Sequence, residues 1–253
     1  MKRKRYSTVN KEEPIFILGA LKSETELLIS SLTEAEEIRV GDYRFFKGKI
    51  SGKPAVVCRC LVGMVYSAAA VMLGAERFSP GTVINCGTAG AHDPALHQGD
   101  IVLGQDIINA GRYNTPHREK GEGSDCMAWE FPKEECFEEG GNLDTYSTHS
   151  DERLLSAAET VEYSGGRVKR GTVLSSDAWN REIDRILFFN KALSSDCEDM
   201  ESFAAAKICE QLAIPCLSVR IISNSELHPA EECDFERFGR ECQRFVLKLI
   251  EKI

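Results

Sequence analysis

Five short stretches of the chain combine ionisable or polar side chains with the small residues that often stand at strand ends. Three of their side chains could take part directly in a reaction: two glutamates, Glu24 and Glu201, and one arginine in an apolar segment, Arg220. A glutamate held against a water molecule can act as a general base. An arginine in an apolar strand needs a partner, because a buried unpaired charge is costly. The stretches are residues 19–24, 85–90, 175–179, 198–202 and 220–224.

Apolar segments of strand length precede most of these stretches and alternate with segments of helical periodicity. The predicted strands are residues 14–20, 43–50, 55–59, 82–86, 100–103, 168–175 and 214–222. The predicted helices are residues 23–32, 63–78, 151–163, 199–212 and 234–252. This alternation favours an α/β fold with three layers, in which helices cover both faces of a central mixed or largely parallel sheet. Ligands of such sheets bind at the carboxyl ends of the strands.

The composition excludes several classes of protein. The chain has 253 residues, of which 42% are hydrophobic and 28% charged, as in soluble globular proteins. Its net charge of -9 argues against binding to nucleic acid, and its apolar runs are too short to cross a membrane. We expect a single domain over residues 1–253, with residues 1–13 as a tail and residues 113–150 as a long acidic insertion.

The cysteines and histidines show no pattern typical of a metal site or a disulfide framework. Most of the ten cysteines lie in apolar segments, and no CxxC pair occurs. We therefore predict buried thiols in a reducing cytoplasm, with no metal and no cofactor. Each histidine is predicted to lie at the surface or in a loop; they are His92, His97, His117, His149 and His228.

Taken in order, the five stretches resemble the purine nucleoside phosphorylase and nucleosidase superfamily, and most closely the methylthioadenosine/S-adenosylhomocysteine nucleosidases. The resemblance runs from residue 15 to about residue 250, apart from residues 113–150. It implies a nucleoside phosphorylase-like fold and a purine nucleoside as the small-molecule partner. It also implies a homodimer or a higher homo-oligomer.

The resemblance implies a role for each matching position. Glu24 would be the central catalytic residue. It would hold the attacking water together with Arg220 and the Thr88 hydroxyl. Glu201 would bind the ribose hydroxyls. The other implied substrate-binding residues are Met200 beside Glu201, Trp179 against the purine, Asn180 at the base edge, Ser223, and Phe235 over the 5′ substituent.

An acid at position 24 favours hydrolysis over phosphorolysis. A phosphorylase binds a phosphate dianion, typically with arginines and glycine-rich backbone. Glu24 would repel that anion and suits the activation of water instead, although Lys22 leaves one basic residue nearby.

Asn224 departs from the pattern of the adenine-cleaving nucleosidases, which have an aspartate there. An amide donates and accepts hydrogen bonds but supplies no proton at neutral pH. Three hypotheses stay open: slow cleavage of an adenine nucleoside, cleavage of a 6-oxopurine nucleoside by hydrolysis or phosphorolysis, and binding of a nucleoside without catalysis. The acidic insertion is interpreted as a lid or dimer arm beside the 5′ group, or as a solvated loop.

Overall fold

The computed structural model describes residues 13–131, 146–230 and 232–253. Within these residues ten strands belong to one mixed sheet. The strands are β1 (Ile15–Gly19), β2 (Thr33–Val40), β3 (Tyr43–Ile50), β4 (Lys53–Arg59), β5 (Thr82–Ala91), β6 (Ile101–Asn109), β7 (Ser147–His149), β8 (Val168–Ser175), β9 (Ser195–Asp199) and β10 (Cys216–Asn224). The α-helices are α1 (Glu26–Ser30), α2 (Met64–Phe78), α3 (Glu152–Glu159), α4 (Ile183–Leu193), α5 (Ser202–Leu212) and α6 (Phe235–Lys252).

Part of the sheet closes on itself around β5. The strands β2, β3, β4, β1 and β5 lie side by side in that order, and β5 then pairs with both β10 and β9. Because β10 pairs with β6, β6 with β8, and β8 with β9, these strands complete a ring with β5. Strand β9 meets β5 only at Gly90 and Ala91. The carboxyl ends of β5, β9 and β10 are thereby brought to one place.

Helices cover both faces of the sheet, which confirms the three-layer prediction. Helices α1, α3 and α6 pack on one face over a core that includes Ile17, Leu155 and Phe245. Helices α2 and α5 pack on the other face over residues such as Phe16 and Ala205. Apolar residues therefore fill both sides of β1 and β5, as the continuous apolar runs of those strands require.

Three strands, β2, β7 and β9, and one helix, α4, were not predicted, and some predicted boundaries were wrong. Strand β2 is mostly exposed at the edge of the sheet, so its sequence lacks the apolar alternation that marks a half-buried strand. Strand β9 reads Ser-Asp-Cys-Glu-Asp and is buried despite its polarity, and α4 precedes it. Asp199 was predicted to open a helix but ends β9, and α5 begins at Ser202. Strand β5 continues through Gly87–Gly90, beyond its predicted end at Cys86.

The predicted insertion is described only in part. Its described residues contain a short 3-10 helix at Cys126–Ala128 and a bridge between Asn114 and Glu130. Tyr113 and Trp129 stack with their ring centroids 4.0 Å apart. The sequence of the insertion also predicts a short helix near residues 133–139; that segment and most of the expected tail lie outside the described residues. No helix in the described part of the chain is long and apolar enough to cross a membrane.

Candidate active site

The carboxylate of Glu24 lies at the carboxyl end of β1 and is buried. The chain turns after Gly19, so that the N–H groups of Ala20 and Leu21 both donate to Glu24 Oε2 at 3.0 Å. The N–H and the hydroxyl of Thr88, on the neighbouring strand β5, donate to Oε1 at 2.8 and 2.9 Å. Four donors thus hold one carboxylate in a fixed orientation.

Arg220 lies on β10 and is fully buried, as its apolar strand predicted. Its Nε is 2.8 Å from Asp199 Oδ2 and donates to Ser202 Oγ at 2.9 Å. Burial by itself lowers the pKa of Arg220, but the neighbouring carboxylates, Asp199 first, outweigh burial and raise it. The guanidinium therefore stays charged, and Asp199 is its main counter-ion.

Gly87 allows Arg220 and Glu24 to approach each other. A Cβ built on this residue would lie 2.5 Å from Arg220 Nη1 and 2.7 Å from Glu24 Oε1. Both charged groups therefore pack directly against the backbone of β5. Any larger residue at position 87 would force one of them to move.

Glu201 lies just before α5, across the cleft from Glu24, and is also buried. Its Oε1 accepts a hydrogen bond from the N–H of Gly63 at 2.9 Å. Burial, followed by the negative charge of Asp199, raises the pKa of Glu201 to about 8. The raised pKa favours the protonated form, and a protonated carboxyl group can both donate to and accept from a hydroxyl group.

An aromatic pair stands at the mouth of the cleft. Trp179 is 62% exposed. Its ring packs edge-on against Phe235, with centroids 6.0 Å apart and an interplanar angle of 74°. The guanidinium of Arg181 lies 6.0 Å from the centroid of the indole. An exposed tryptophan beside a cleft offers a flat apolar surface to a planar ligand.

The cleft encloses about 290 Å³, a size suited to a small ligand. Eight of the ten predicted site residues line it: Glu24, Thr88, Trp179, Met200, Glu201, Ser223, Asn224 and Phe235. Arg220 lies behind Glu24, beneath Gly87. Asn180 is buried outside the lining, and its N–H donates to Glu198 Oε1 at 3.1 Å. That N–H is therefore paired with a carboxylate of the cleft lining.

Three residues of the site were not predicted as functional. Asp199 lies in the acidic run before Glu201, and only its pairing with Arg220 distinguishes it. Glu198 lines the same cleft. His92, predicted at the surface or in a loop, is buried and lies 3.1 Å from Glu198 through its Nε2. The closed ring of strands buries His92. The local sequence Ala91-His92-Asp93 has no periodicity from which that burial could be predicted.

No group of residues in the described ranges has the donors needed for a metal ion. The thiols of Cys58, Cys60, Cys86, Cys209 and Cys216 are buried, in agreement with their apolar surroundings in sequence. Burial raises the pKa of Cys58 and Cys60, so these thiols behave as small apolar groups. The charged side chains at the cleft are therefore carboxylates and one arginine.

A family model described as the phosphorylase superfamily matches residues 14–253. The chain belongs to the phosphorylase superfamily. Among curated superfamily members, the 5'-methylthioadenosine/S-adenosylhomocysteine nucleosidase of Listeria monocytogenes is 31% identical over 221 residues, which cover 83% of this chain and 85% of that protein. The enzyme of the same name from Staphylococcus haemolyticus is 28% identical over 241 residues, 94% of this chain and 98% of that protein.

Several solved structures share the fold. One is the 5'-methylthioadenosine/S-adenosylhomocysteine nucleosidase of Neisseria meningitidis in complex with methylthio-immucillin-A, with a TM-score of 0.77, 21% identity, and coverage of 95% of this chain and all (100%) of that one. Another is the futalosine hydrolase of Helicobacter pylori, with a TM-score of 0.76, 20% identity, and coverage of 96% and 99%. The nucleoside phosphorylase-like architecture expected from the sequence is therefore confirmed.

Proposed function

We propose that this protein hydrolyses the N-glycosidic bond of a purine nucleoside, with 5′-substituted nucleosides of the methylthioadenosine and S-adenosylhomocysteine kind as its first substrates. The observation that carries the proposal is the Glu24 carboxylate, oriented by four donors in a cleft that also holds Glu201 and Trp179. The curated superfamily members cited above are named as nucleosidases for these two compounds.

The reaction needs water to replace the base at C1′ of the ribose. Glu24 accepts a proton from water as the water oxygen bonds to C1′ and the bond from C1′ to N9 breaks. The bonding electrons leave with the purine, which gains a proton at N7. The sugar carries positive charge in the transition state, and the buried Glu24 carboxylate stabilises that charge before it takes the proton.

Glu201 and the aromatic pair position the two ends of the substrate. In its protonated form, which the raised pKa favours, Glu201 can donate to one ribose hydroxyl and accept from the other. Trp179 supplies a stacking surface for the purine, and Phe235 packs beside it. Asn224 can hydrogen-bond the base but supplies no proton, so the N7 proton comes from water.

Two observations favour water over phosphate as the acceptor. Glu24 places a negative charge where a phosphate would approach Arg220. Lys22, the basic residue that left phosphate binding open, is 67% exposed at its side chain and pairs with Glu26 at 3.2 Å. Its ammonium group is thus engaged on the protein surface.

The test is to incubate the protein with adenosine, methylthioadenosine and inosine, with and without phosphate, and to measure free base by chromatography. We expect base and free ribose or methylthioribose at the same rate in both conditions. Release of base only when phosphate is present would show a phosphorylase. Tight nucleoside binding with no release of base would show a binding protein.

We further propose that the protein works as a cytoplasmic homodimer. Large apolar side chains are exposed along α2 and in the loop before it, where Val62 lines the cleft; they are Leu61, Val62, Val65, Tyr66 and Met72. A contiguous exposed apolar surface is typical of a protein interface. Sedimentation at micromolar concentration should give a mass near twice that of the chain, and a monomer would contradict this proposal.

A further inference from the structure

Asp199 is a buried carboxylate that joins three elements around the cleft, and the proposed reaction assigns it no role. It ends β9, and its side chain is only 1% exposed. Its oxygens accept hydrogen bonds from Ser175 at the end of β8 and from Ser202 at the start of α5, and one oxygen pairs with Arg220 on β10. A buried charge is costly unless such partners compensate it. The contacts of Asp199 therefore hold these elements in one arrangement.

One edge of the Arg220 guanidinium is held by Asp199 and Ser202 together. Its Nε lies 2.8 Å from Asp199 Oδ2 and donates to Ser202 Oγ at 2.9 Å. The Ser202 hydroxyl donates to Asp199 Oδ2 at 2.6 Å, so it acts as an acceptor toward Arg220. The Ser218 hydroxyl lies 2.6 Å from Ser202 Oγ and must then be the donor in that contact. The directions of these hydrogen bonds are mutually consistent, and they define one orientation of the Arg220 Nε–H.

The other edge of the guanidinium faces the proposed general base. A Cβ built on Gly87 would lie 2.5 Å from Arg220 Nη1 and 2.7 Å from Glu24 Oε1, so both groups pack against the same backbone atom. The resemblance gives Arg220 the role of holding the attacking water together with Glu24. A shift of Asp199 or Ser202 would therefore displace a group that holds the water.

Asp199 also holds the turn that carries Glu201. The N–H of Ser202, three residues further along the chain, donates to Asp199 Oδ2 at 2.9 Å. A local hydrogen bond of this kind fixes the backbone between its partners, and Glu201 lies between them. The carbonyl of Glu201 accepts from Ser67 Oγ at 3.1 Å, which ties the same turn to α2. The direction in which the Glu201 side chain leaves the turn is therefore set by Asp199 on one side and Ser67 on the other.

The charge of Asp199 acts on Glu201 as well. The titratable and charged groups around the Glu201 carboxyl are Asp199, Glu24, Arg220 and the thiol of Cys60. Burial first and Asp199 second raise the pKa of Glu201 to about 8, whereas Arg220 lowers it. Removal of the Asp199 charge would lower this pKa. It would also leave Arg220 without its main counter-ion, which acts in the same direction.

We infer that Asp199, with Ser202, is a positioning residue that couples the two parts of the catalytic cleft. It fixes Arg220 beside Glu24, where water is activated, and it holds the turn that presents Glu201 to the ribose. Its negative charge favours the protonated form of Glu201, which can donate to one ribose hydroxyl and accept from the other. A single buried carboxylate thus orders the groups that act on the two reactants.

This inference rests on the proposed hydrolysis, and Asp199→Asn is its main test. The amide keeps the shape of the side chain, and its carbonyl oxygen can still accept from Ser202 and Arg220. We expect kcat for methylthioadenosine to fall about 100-fold, the effect of a misplacement of about 1 Å. The pH above which kcat/KM declines, about 8 in the wild type, should move down by about one unit or more, because a like charge near Glu201 has been removed.

Two further variants separate the position of Arg220 from the charge. Ser202→Ala keeps the Asp199 charge but removes an acceptor from Arg220, so kcat should fall about tenfold while the pH profile stays unchanged. Asp100→Asn is the matched control, because Asp100 also pairs with an arginine, Arg167 at 2.8 Å, but neither residue lines the cleft. It should leave the pH profile unchanged.

A folded Asp199→Asn variant with wild-type kcat would overturn the inference. A lower kcat with an unchanged pH profile would overturn it too, since Asp199 would then only support the fold. If circular dichroism shows that Asp199→Asn does not fold, Ser202→Ala decides, and an unchanged kcat in that variant would refute the role.

A titration of the Glu201 carboxyl by carbon-13 NMR, assigned through Glu201→Gln, needs no turnover. If the wild type cleaves no nucleoside, the proposed function fails, but a lower pKa of Glu201 in Asp199→Asn would still support the coupling. An unchanged pKa would refute it.

Discussion

Replacement of Glu24 by glutamine removes the proposed general base while nearly preserving the shape of the side chain. The amide must place its NH2 group either toward the N–H groups of Ala20 and Leu21 or toward Thr88. The second orientation is better, because the Thr88 hydroxyl can rotate and accept. Only the N–H of Thr88 then loses its partner.

This geometry sets the size of two effects of Glu24→Gln, the loss of stability and the loss of rate. One buried N–H without a partner costs about 1–3 kcal/mol of folding free energy. For a chain of this size, that lowers Tm by roughly 2–12 °C. Loss of a general base lowers the rate by a factor of about 100 to 10,000. We therefore expect a folded protein whose kcat falls at least about 100-fold, with substrate binding largely unchanged.

The assay measures base release from methylthioadenosine in single-turnover experiments, with binding measured by calorimetry at 25 °C. Glu26→Gln is the matched control, because Glu26 is exposed on α1 and pairs only with Lys22 among the contacts described. It should retain full activity. Turnover close to wild type in a folded Glu24→Gln variant would refute the assignment of Glu24 as the base.

Three further predictions concern other residues of the cleft. Gly87→Ala should lower kcat by about 100-fold, because its Cβ would displace Arg220 or Glu24, and a misplacement of about 1 Å has that effect; unchanged kinetics would show that both side chains relax freely. Between pH 4.5, the pKa of Glu201 in the unfolded chain, and about pH 8, its pKa in the folded protein, Glu201 is protonated only in the folded state. The stability that this group contributes therefore decreases as pH rises through that window, by up to about 1.4 kcal/mol per pH unit. The Tm of Glu201→Gln should therefore rise relative to the Tm of the wild type from pH 5 to pH 8. A constant difference between the two Tm values would contradict the raised pKa. Asn224→Asp should raise cleavage of methylthioadenosine at least about tenfold, since an acid can protonate the base; a fall in that activity would count against N7 protonation as the missing step.

Much of the fold could be predicted from local patterns. Strands β1, β3, β4, β8 and β10 and helices α2, α3 and α6 have clear apolar periodicity, and each was predicted close to its observed bounds. Strand β9 could not be predicted, because its polar residues are buried by pairing partners distant in sequence. Edge strand β2 was missed for the opposite reason, since exposure leaves it without a buried face.

The sequence by itself determined the chemical types at the cleft. Glu24, Thr88, Glu201 and Asn224 stand at strand or helix ends whose order predicted a nucleosidase, and all four line one cleft. Their individual roles remain predictions that the variants above test. Local sequence suffices for this much because strand ends carry both the turn residues and the polar groups.

Only the tertiary structure determined which residues surround Glu198. His92, Asn180 and Glu198 are far apart in sequence, and they meet because β9 crosses the end of β5 and closes the ring of strands. Strand register across that closure also placed Glu198 and Asn224 on opposite sides of Gly90. Pairings of this kind depend on how the whole sheet packs, and a period of two or 3.6 residues along the chain does not carry that information.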